Sequence, residues 1–282
     1  MISFSKVFKE LFHVKNRVVH MIVLLNAVAS IILTLIMLTS SNGGKGQIST
    51  GSRAYEIGNF GGFILVLAGV MAMMIFFTSA FYFIWSSVAN EKIGRQQTWQ
   101  LLPISSSKFY LANILSSLVS YIYMGLLQVA IIALDLLFGI MVSDGIRKWV
   151  NYIFSGTELS NVEVAEIAQG LILGALIVLL STILWYLLIG IYHYLTRAAI
   201  EFMPFAGNKF ITFLIRVVLL VAFIYALSMI LNVFSDASRI IFDPSRAQAF
   251  DTMYLANLQL LILDIVFGGL NIFLYSRFVE AK

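Results

Sequence analysis

Residues 170–195 read GLILGALIVLLSTILWYLLIGIYHYL, a run without a single Asp, Glu, Lys or Arg. A helix that crosses the hydrocarbon core of a bilayer needs about 20 consecutive apolar residues, and this run is long enough. Five further runs share this character, which gives predicted spans at about 18–39, 61–88, 109–141, 170–195, 212–234 and 253–276. Their apolar residues are continuous and do not alternate, which excludes the strands of a membrane β-barrel. The sequence therefore predicts an all-α integral membrane protein with six transmembrane helices.

The composition excludes the other broad classes of protein. Hydrophobic residues make up 60% of the 282 positions and charged residues only 11%, whereas soluble domains carry about 25% charge. So few charges could not cover a surface in water. The 23 Phe, 12 Tyr and 4 Trp exclude a disordered chain, because disordered chains contain few aromatic residues. No linker or convincing repeat interrupts the sequence, so we predict one transmembrane domain over residues 1–282.

Lysine and arginine residues set the predicted orientation, because cytoplasmic loops are enriched in them. An even number of spans places both termini on one side of the membrane. If that side is the cytoplasm, the inner segments hold twelve basic residues: Lys6, Lys9, Lys15, Arg17, Lys92, Arg95, Lys108, Arg197, Lys209, Arg216, Arg277 and Lys282. The outer loops then hold six: Lys45, Arg53, Arg147, Lys148, Arg239 and Arg246. We therefore predict an N-in, C-in topology.

The residues before the first span form an amphipathic pattern. Apolar side chains recur there at helical spacing (Ile2, Phe4, Val7, Phe8, Leu11 and Phe12), and Lys6, Lys9, Glu10 and His13 fill the opposite side. Such a helix suits the cytoplasmic headgroup layer. Two interpretations stay open: a simple topology anchor, or an elbow helix that positions span one and helps to build a docking surface.

The loop between the second and third spans carries the most information. Residues 90–108 read NEKIGRQQTWQLLPISSSK. Glu91 to Leu102 are predicted to form about three helical turns, with Trp99 among their apolar contacts. Pro103 ends this helix, because a proline forces the residue before it out of the α region. Ser105 or Ser106 is the expected cap of the next helix.

This loop resembles the corresponding loop in the membrane subunits of ABC-2 type ATP-binding-cassette transporters. Members of that family commonly carry an acidic residue after span two, a glycine a few residues on, a Leu-Pro-Ile/Val-Ser turn, and a lysine before span three. Glu91, Gly94, Leu102-Pro103-Ile104-Ser105 and Lys108 match that pattern in order. The N-terminal amphipathic segment, the six spans and a longer outer segment before span six extend the resemblance over the whole chain.

The resemblance implies that the loop is a coupling helix seated in a cleft of a cytosolic ATPase. The residues assigned to that contact are Glu91, Lys92, Gly94, Arg95, Trp99, Leu102 and Pro103. It also implies an exporter in a bacterial plasma membrane, in which this multi-pass permease supplies half of a translocation route. The expected partners are two ATPase chains, a second permease copy or paralogue, and the bilayer, with no nucleic acid. ATP and magnesium are expected on the ATPase, and this chain is expected to be neither an enzyme nor a metal-binding protein.

The motifs of several other activities are absent from the sequence. It has no Cys, HExxH or GxSxG motif, and no G-x-x-x-x-G-K-[ST] phosphate loop, so an ATPase must be a separate chain. An ion-coupled carrier is one alternative, although such carriers use broken helices, and the three prolines here (Pro103, Pro204 and Pro244) all fall in predicted loops. A membrane immunity or structural protein that binds without transporting is another. An amphipathic peptide, an antibiotic or a lipid-like molecule remains open as the substrate.

A few polar residues inside the spans are further candidates for function. Asp135 and Asp264 are the acidic residues within the predicted spans, and intramembrane acids are costly enough to suggest a role. Asp135 lies near the outer end of span three and is expected to reach the headgroups. Asp264, with Asn257 and Asn271 on the same helix, is expected either to pack against a polar neighbour or to line the substrate route.

Overall fold

The long helices predicted from the sequence are present in the structure, which is a computed structural model. It describes residues 3–40, 47–50, 53–56, 58–96, 99, 101, 103–156, 161–202, 209–241 and 249–279. The elements in chain order are α1 (Phe4–Ser40), β1 (Gln47–Thr50), β2 (Arg53–Glu56), α2 (Gly58–Arg95), α3 (Ser106–Val142), α4 (Asp144–Gly156), α5 (Asn161–Phe202), α6 (Lys209–Ile241) and α7 (Ala249–Val279). All of these helices except α4 are long and apolar enough to cross a membrane. The prediction of a helical membrane protein with six spans is confirmed.

Each predicted span lies inside a longer helix. The clearest case is α1, in which the predicted amphipathic segment and the first span form one uninterrupted helix from Phe4 to Ser40. This stretch contains neither proline nor glycine, the residues that most often end or kink a helix. Helix α3 begins at Ser106. At this N-terminal end the carbonyl of Ser105 accepts a hydrogen bond from Phe109 N at 3.0 Å. Ser105 therefore occupies the capping position that the sequence predicted.

A short β-hairpin, which the sequence analysis did not predict, connects α1 to α2. β1 and β2 pair antiparallel, with Gln47 opposite Glu56 and Thr50 opposite Arg53. The loop after α2 contains predicted coupling residues, and Gln97, Thr98, Gln100 and Leu102 lie outside the described residues. So do residues 203–208, between α5 and α6, and residues 242–248, between α6 and α7.

Helix α4 is an amphipathic helix that folds back against the ends of α2 and α3. Ser143 caps it: its Oγ accepts from Ile146 N at 3.4 Å and its carbonyl accepts from Arg147 N at 3.0 Å. The Arg147 guanidinium donates to the terminal carbonyls of α3, Ile140 O and Met141 O. Ile146 is buried, and a Cβ on Gly139 would lie 3.1 Å from its Cδ1. The same Cβ would lie 2.9 Å from Ile64 Cγ2, so a larger residue at position 139 would require these isoleucine side chains to shift.

The helices form two units. The N-terminal unit comprises Ser5–Leu101 and Leu115–Ser160, and the C-terminal unit comprises Met1–Phe4, Leu102–Ile114 and Asn161–Lys282. In the N-terminal unit, α1, α2 and α3 share a buried apolar layer made of Val19, Ile22, Val23, Tyr82 and Met124. In the C-terminal unit, α5 packs mainly against α7 and also against α6. That the two units act together as one transmembrane domain over residues 1–282 stays a prediction.

Helices α5 and α7 run in the same direction. A Cβ on Gly170 would lie 3.5 Å from Phe250, one on Gly174 would lie 4.0 Å from Met253, and one on Gly190 would meet Asn271. Residues later in α5 therefore contact residues later in α7, as expected for a parallel pair. The two glycines at 170 and 174 form a small-xxx-small pair, which lets a neighbouring membrane helix approach closely. If α5, α6 and α7 each cross the membrane, α6 runs opposite to both of its neighbours. Helices α5 and α7 must then run in the same direction, as they do here.

Candidate functional site

The predicted coupling segment begins inside α2. Glu91–Arg95 form the last residues of that helix, and Lys92 is exposed while Ile93 is buried. At and beyond the end of the helix the chain forms two successive turns, in which Gln96 N donates to Ile93 O at 3.3 Å and Trp99 N donates to Gln96 O at 3.1 Å.

The other residues of this segment differ widely in exposure. Glu91 and Trp99 are half-buried, whereas Pro103 is exposed and Leu101 keeps 82% of its surface accessible. Around Gly94, a Cβ would find open space, so the backbone there is accessible to another molecule. The side chain of Arg95 and the whole of Leu102 lie outside the described residues. The assignment of the segment to an ATPase contact stays a prediction.

A buried lysine joins α1, α2 and α3 immediately before this segment. Lys15 is fully buried, at 0% exposure. Its Nζ donates to Asn90 Oδ1 at 2.8 Å, Ser116 Oγ at 2.8 Å and Ser117 Oγ at 2.7 Å. Ser117 Oγ also donates to Asn90 Oδ1 at 2.9 Å. We call these four residues the Lys15 joint. It fixes the C-terminal part of α2, one residue before Glu91, to the adjoining helices.

The position of Lys15 on α1 explains why it is buried. The buried face of this helix follows the spacing of Val7, Leu11, Lys15, Val19 and Ile22, so Lys15 occupies an apolar helical position. The sequence was used to count Lys15 among the basic residues of the inner side, and its burial was not predicted. The helical phase of its neighbours could have revealed that burial. The predicted orientation stays a prediction.

Further polar contacts continue from the joint into the N-terminal unit. Tyr82 is fully buried, and its hydroxyl donates to the Ser117 carbonyl at 3.0 Å. Farther along α2 and α3, Gln128 Nε2 donates to Thr78 Oγ1 at 2.8 Å. Buried side-chain hydrogen bonds of this kind hold membrane helices together, because lipid offers polar groups no partners. These hydrogen bonds hold α2 and α3 together next to the predicted coupling segment.

Asn257 and Asn271 of α7 donate hydrogen bonds to α5. Asn257 Nδ2 donates to the Leu173 carbonyl at 3.3 Å, and Asn271 Nδ2 donates to the Leu187 carbonyl at 2.8 Å. Each amide also donates to the carbonyl four residues earlier on its own helix. Asp264 lies between them and keeps 9% of its surface accessible. These contacts favour a packing role for the two asparagines; their predicted role in lining a substrate route stays a prediction.

The close approach of α5 and α7 is tightest at Gly190. A Cβ at this position would lie 2.5 Å from Asn271 Oδ1 and 3.2 Å from the Tyr110 hydroxyl. Asn271 has no exposed surface and Tyr110 is buried. Because real Cβ atoms do not approach an oxygen to 2.5 Å, only glycine fits here without rearrangement of the Asn271 amide. The sequence alone did not identify this contact.

The remaining acidic candidate, Asp135, lies in α3 and is half-buried. Within the described residues its Oδ2 is buried and accepts no hydrogen bond. In the described part of the chain, His, Asp and Glu residues nowhere gather in the threes that a metal site requires. The N-terminal unit thus offers a fixed polar joint close to the exposed Lys92, and the C-terminal unit offers a polar helix–helix contact.

The chain has no match among known proteins in three comparisons. No protein-family model, no curated protein and no solved structure matches it.

Proposed function

We propose that this chain is the permease subunit of an ATP-binding-cassette exporter of the ABC-2 type. The observation that carries the proposal is the end of α2, where the charged side chain of Lys92 is exposed two residues after Asn90 of the buried Lys15 joint. The six apolar helices support a transport role. The match of Glu91, Gly94, Leu102-Pro103-Ile104-Ser105 and Lys108 to the family pattern supports an ATPase as the partner.

In the proposed mechanism, the segment from Glu91 to Pro103 docks into a cytosolic ATPase. Lys92, exposed at the end of α2, and Glu91 supply charges for that contact, and Trp99 supplies an aromatic anchor of the kind enriched at interfaces. Movement of the ATPase displaces the end of α2. Since the Lys15 joint binds Asn90 to α1 and α3, that displacement reaches all three helices together.

The subunit composition follows from the resemblance to ABC-2 type transporters. Six spans form half of a translocation route, so the transporter contains two permease copies or paralogues and two ATPase chains, which bind ATP and magnesium. The first turns of α1, with Lys6 and Lys9 exposed, continue the first span as one helix and reach the cytoplasmic headgroup layer of the plasma membrane. The N- and C-termini are cytoplasmic. The substrate is an amphipathic peptide, an antibiotic or a lipid-like molecule.

The experiment that tests the proposal is purification of the tagged full chain from the membranes of its host, followed by measurement of bound ATPase subunits and of vanadate-sensitive ATP hydrolysis. The double variant Glu91→Ala/Arg95→Ala is expected to lose the ATPase subunit or to uncouple hydrolysis from export. Its matched control is Lys148→Ala/Glu166→Ala, which removes two opposite charges from exposed positions on the other side of the membrane. The control is expected to behave as the native chain.

The alternatives give different results in the same preparation. An ion-coupled carrier transports without an ATPase and stops when the proton gradient is dissipated. An immunity or structural protein binds its target and shows neither dependence. Transport by the purified chain alone in vesicles, without ATP, would overturn the permease proposal.

A further inference from the structure

Three polar residues of α7, Asn257, Asp264 and Asn271, are spaced at seven-residue intervals. On α5, Leu173 and Leu187 accept hydrogen bonds from the first and the last of them. Leu180 lies midway between these two leucines, and all three leucines are buried. A seven-residue repeat keeps the same face of one helix toward its partner in a slightly supercoiled pair. The repeat therefore places Asp264 opposite Leu180.

The two outer positions show which hydrogen bonds this place on the helix demands. Each asparagine donates two hydrogen bonds, one to a carbonyl of α5 and one to the carbonyl four residues back on α7. The corresponding acceptors around Asp264 are the carbonyl oxygens of Leu180 and Leu260. An ionised carboxylate only accepts hydrogen bonds, so it cannot form a hydrogen bond with either of these carbonyl oxygens. Within the described residues, neither carboxyl oxygen of Asp264 has a hydrogen-bond partner and both are buried.

We propose that Asp264 is a proton-binding site, a neutral carboxylic acid whose O–H donates to the Leu180 carbonyl as the middle contact of a polar ladder between α5 and α7. The ladder consists of Asn257, Asp264 and Asn271 on α7 with Leu173, Leu180 and Leu187 on α5. The proton turns an acceptor-only group into a donor that matches the carbonyl opposite. Protonation also removes the charge, which is costly to hold inside a membrane.

The neighbouring side chains supply no charge that would keep Asp264 ionised. The facing stretch of α5, residues 167–185, contains no Asp, Glu, His, Lys, Arg or Tyr, and neither does the stretch 255–274 of α7 apart from Asp264 itself. Tyr110 lies at Gly190, level with Asn271. On α6, which packs against α5, Arg216 lies level with Tyr192, and Tyr225 is exposed. The proposal rests on the packing of α5 and α7 and does not depend on an ATPase partner.

The first test is infrared spectroscopy of the full chain in lipid nanodiscs, with ¹³C-labelled aspartate. At about pH 7 a surface carboxyl with the usual aspartate pKa of about 3.9 is ionised. We expect an isotope-sensitive C=O band of a protonated carboxyl that disappears in Asp264→Asn. The matched control is Asp135→Asn, which changes the other intramembrane acid and leaves that band in place. A spectrum in which Asp264→Asn removes only carboxylate intensity would overturn the proposal.

The second test compares unfolding of two variants that both lack the carboxyl group. Asp264→Asn restores the donor found at positions 257 and 271, so its stability should equal or exceed that of the native chain. Asp264→Leu removes the contact and should raise the unfolding equilibrium constant about three- to twenty-fold, the range expected for one hydrogen bond between membrane helices. A leucine variant as stable as the native chain, or an asparagine variant as unstable as the leucine variant, would refute the hydrogen bond to α5.

Discussion

Replacing Lys15 with methionine tests the polar joint of the N-terminal unit directly. Methionine keeps an unbranched side chain of similar length but has no donor, so the variant loses the contacts of Nζ to Asn90, Ser116 and Ser117. Hydrogen bonds between membrane helices contribute about 0.6 kcal/mol each on average. Three such contacts amount to about 2 kcal/mol of unfolding free energy. Bonds to a charged donor are stronger, but the native chain also bears the cost of burying the ammonium, and the two corrections oppose each other.

The measurement is thermal unfolding of the purified full chain in nanodiscs. A loss of about 2 kcal/mol corresponds to a decrease in Tm of roughly 4–8 °C for a chain of this size. Lys9→Met is the matched control, because it removes the same charge from an exposed position of the same helix. We expect its Tm to stay within about 1 °C of the native value, as for most surface changes. Equal Tm values for Lys15→Met and Lys9→Met would refute the structural role of the joint.

Three further predictions concern separate parts of the molecule. A cysteine placed at Ser49, Ser160 or Ser245 should react with an impermeant thiol reagent in intact cells, and one at Ser106 or Asn208 should not; labelling at Ser106 would overturn the N-in topology, and the absence of native Cys keeps the background low. Gly190→Ala should destabilise the chain by about 1–3 kcal/mol because its Cβ meets Asn271 Oδ1, whereas Gly269→Ala, whose Cβ meets nothing within 4 Å, should be neutral or slightly stabilising in denaturation experiments. Glu91→Ala/Arg95→Ala should leave membrane insertion unchanged while coupling to the ATPase falls; normal export by this variant would contradict the assignment of the coupling segment.

The six spans were predictable because each is a continuous apolar run, and length alone separates such runs from other elements. The hairpin between α1 and α2 was not, since residues 47–56 carry no strong alternating pattern. The burial of Lys15 was not predicted, because the rule for orientation counts each lysine equally, whatever its helical phase. Its position between Leu11 and Val19 on the buried face was the available signal.

The polar residues of α7 were found from the sequence, but their partners were not. The seven-residue spacing of Asn257, Asp264 and Asn271 is visible in the sequence, yet it does not say which helix lies opposite. Leu173, Leu180 and Leu187 are three leucines among many, and a backbone carbonyl leaves no trace in a side-chain pattern. Helix pairing depends on the close approach at glycines such as Gly190, and this approach is visible only in the three-dimensional structure.

The parallel arrangement of α5 and α7 has a consequence for biogenesis. During synthesis α5 leaves the translocon first, and α7 follows only after α6 has made the return crossing. Until then the carboxamides of Asn257 and Asn271 have no neighbouring helix to contact, and a span with polar groups at its centre partitions less readily into lipid. The last helix is therefore expected to integrate with the help of α5, which is already in place. A chain from which α5 is deleted would leave α7 without the helix that retains it in the bilayer.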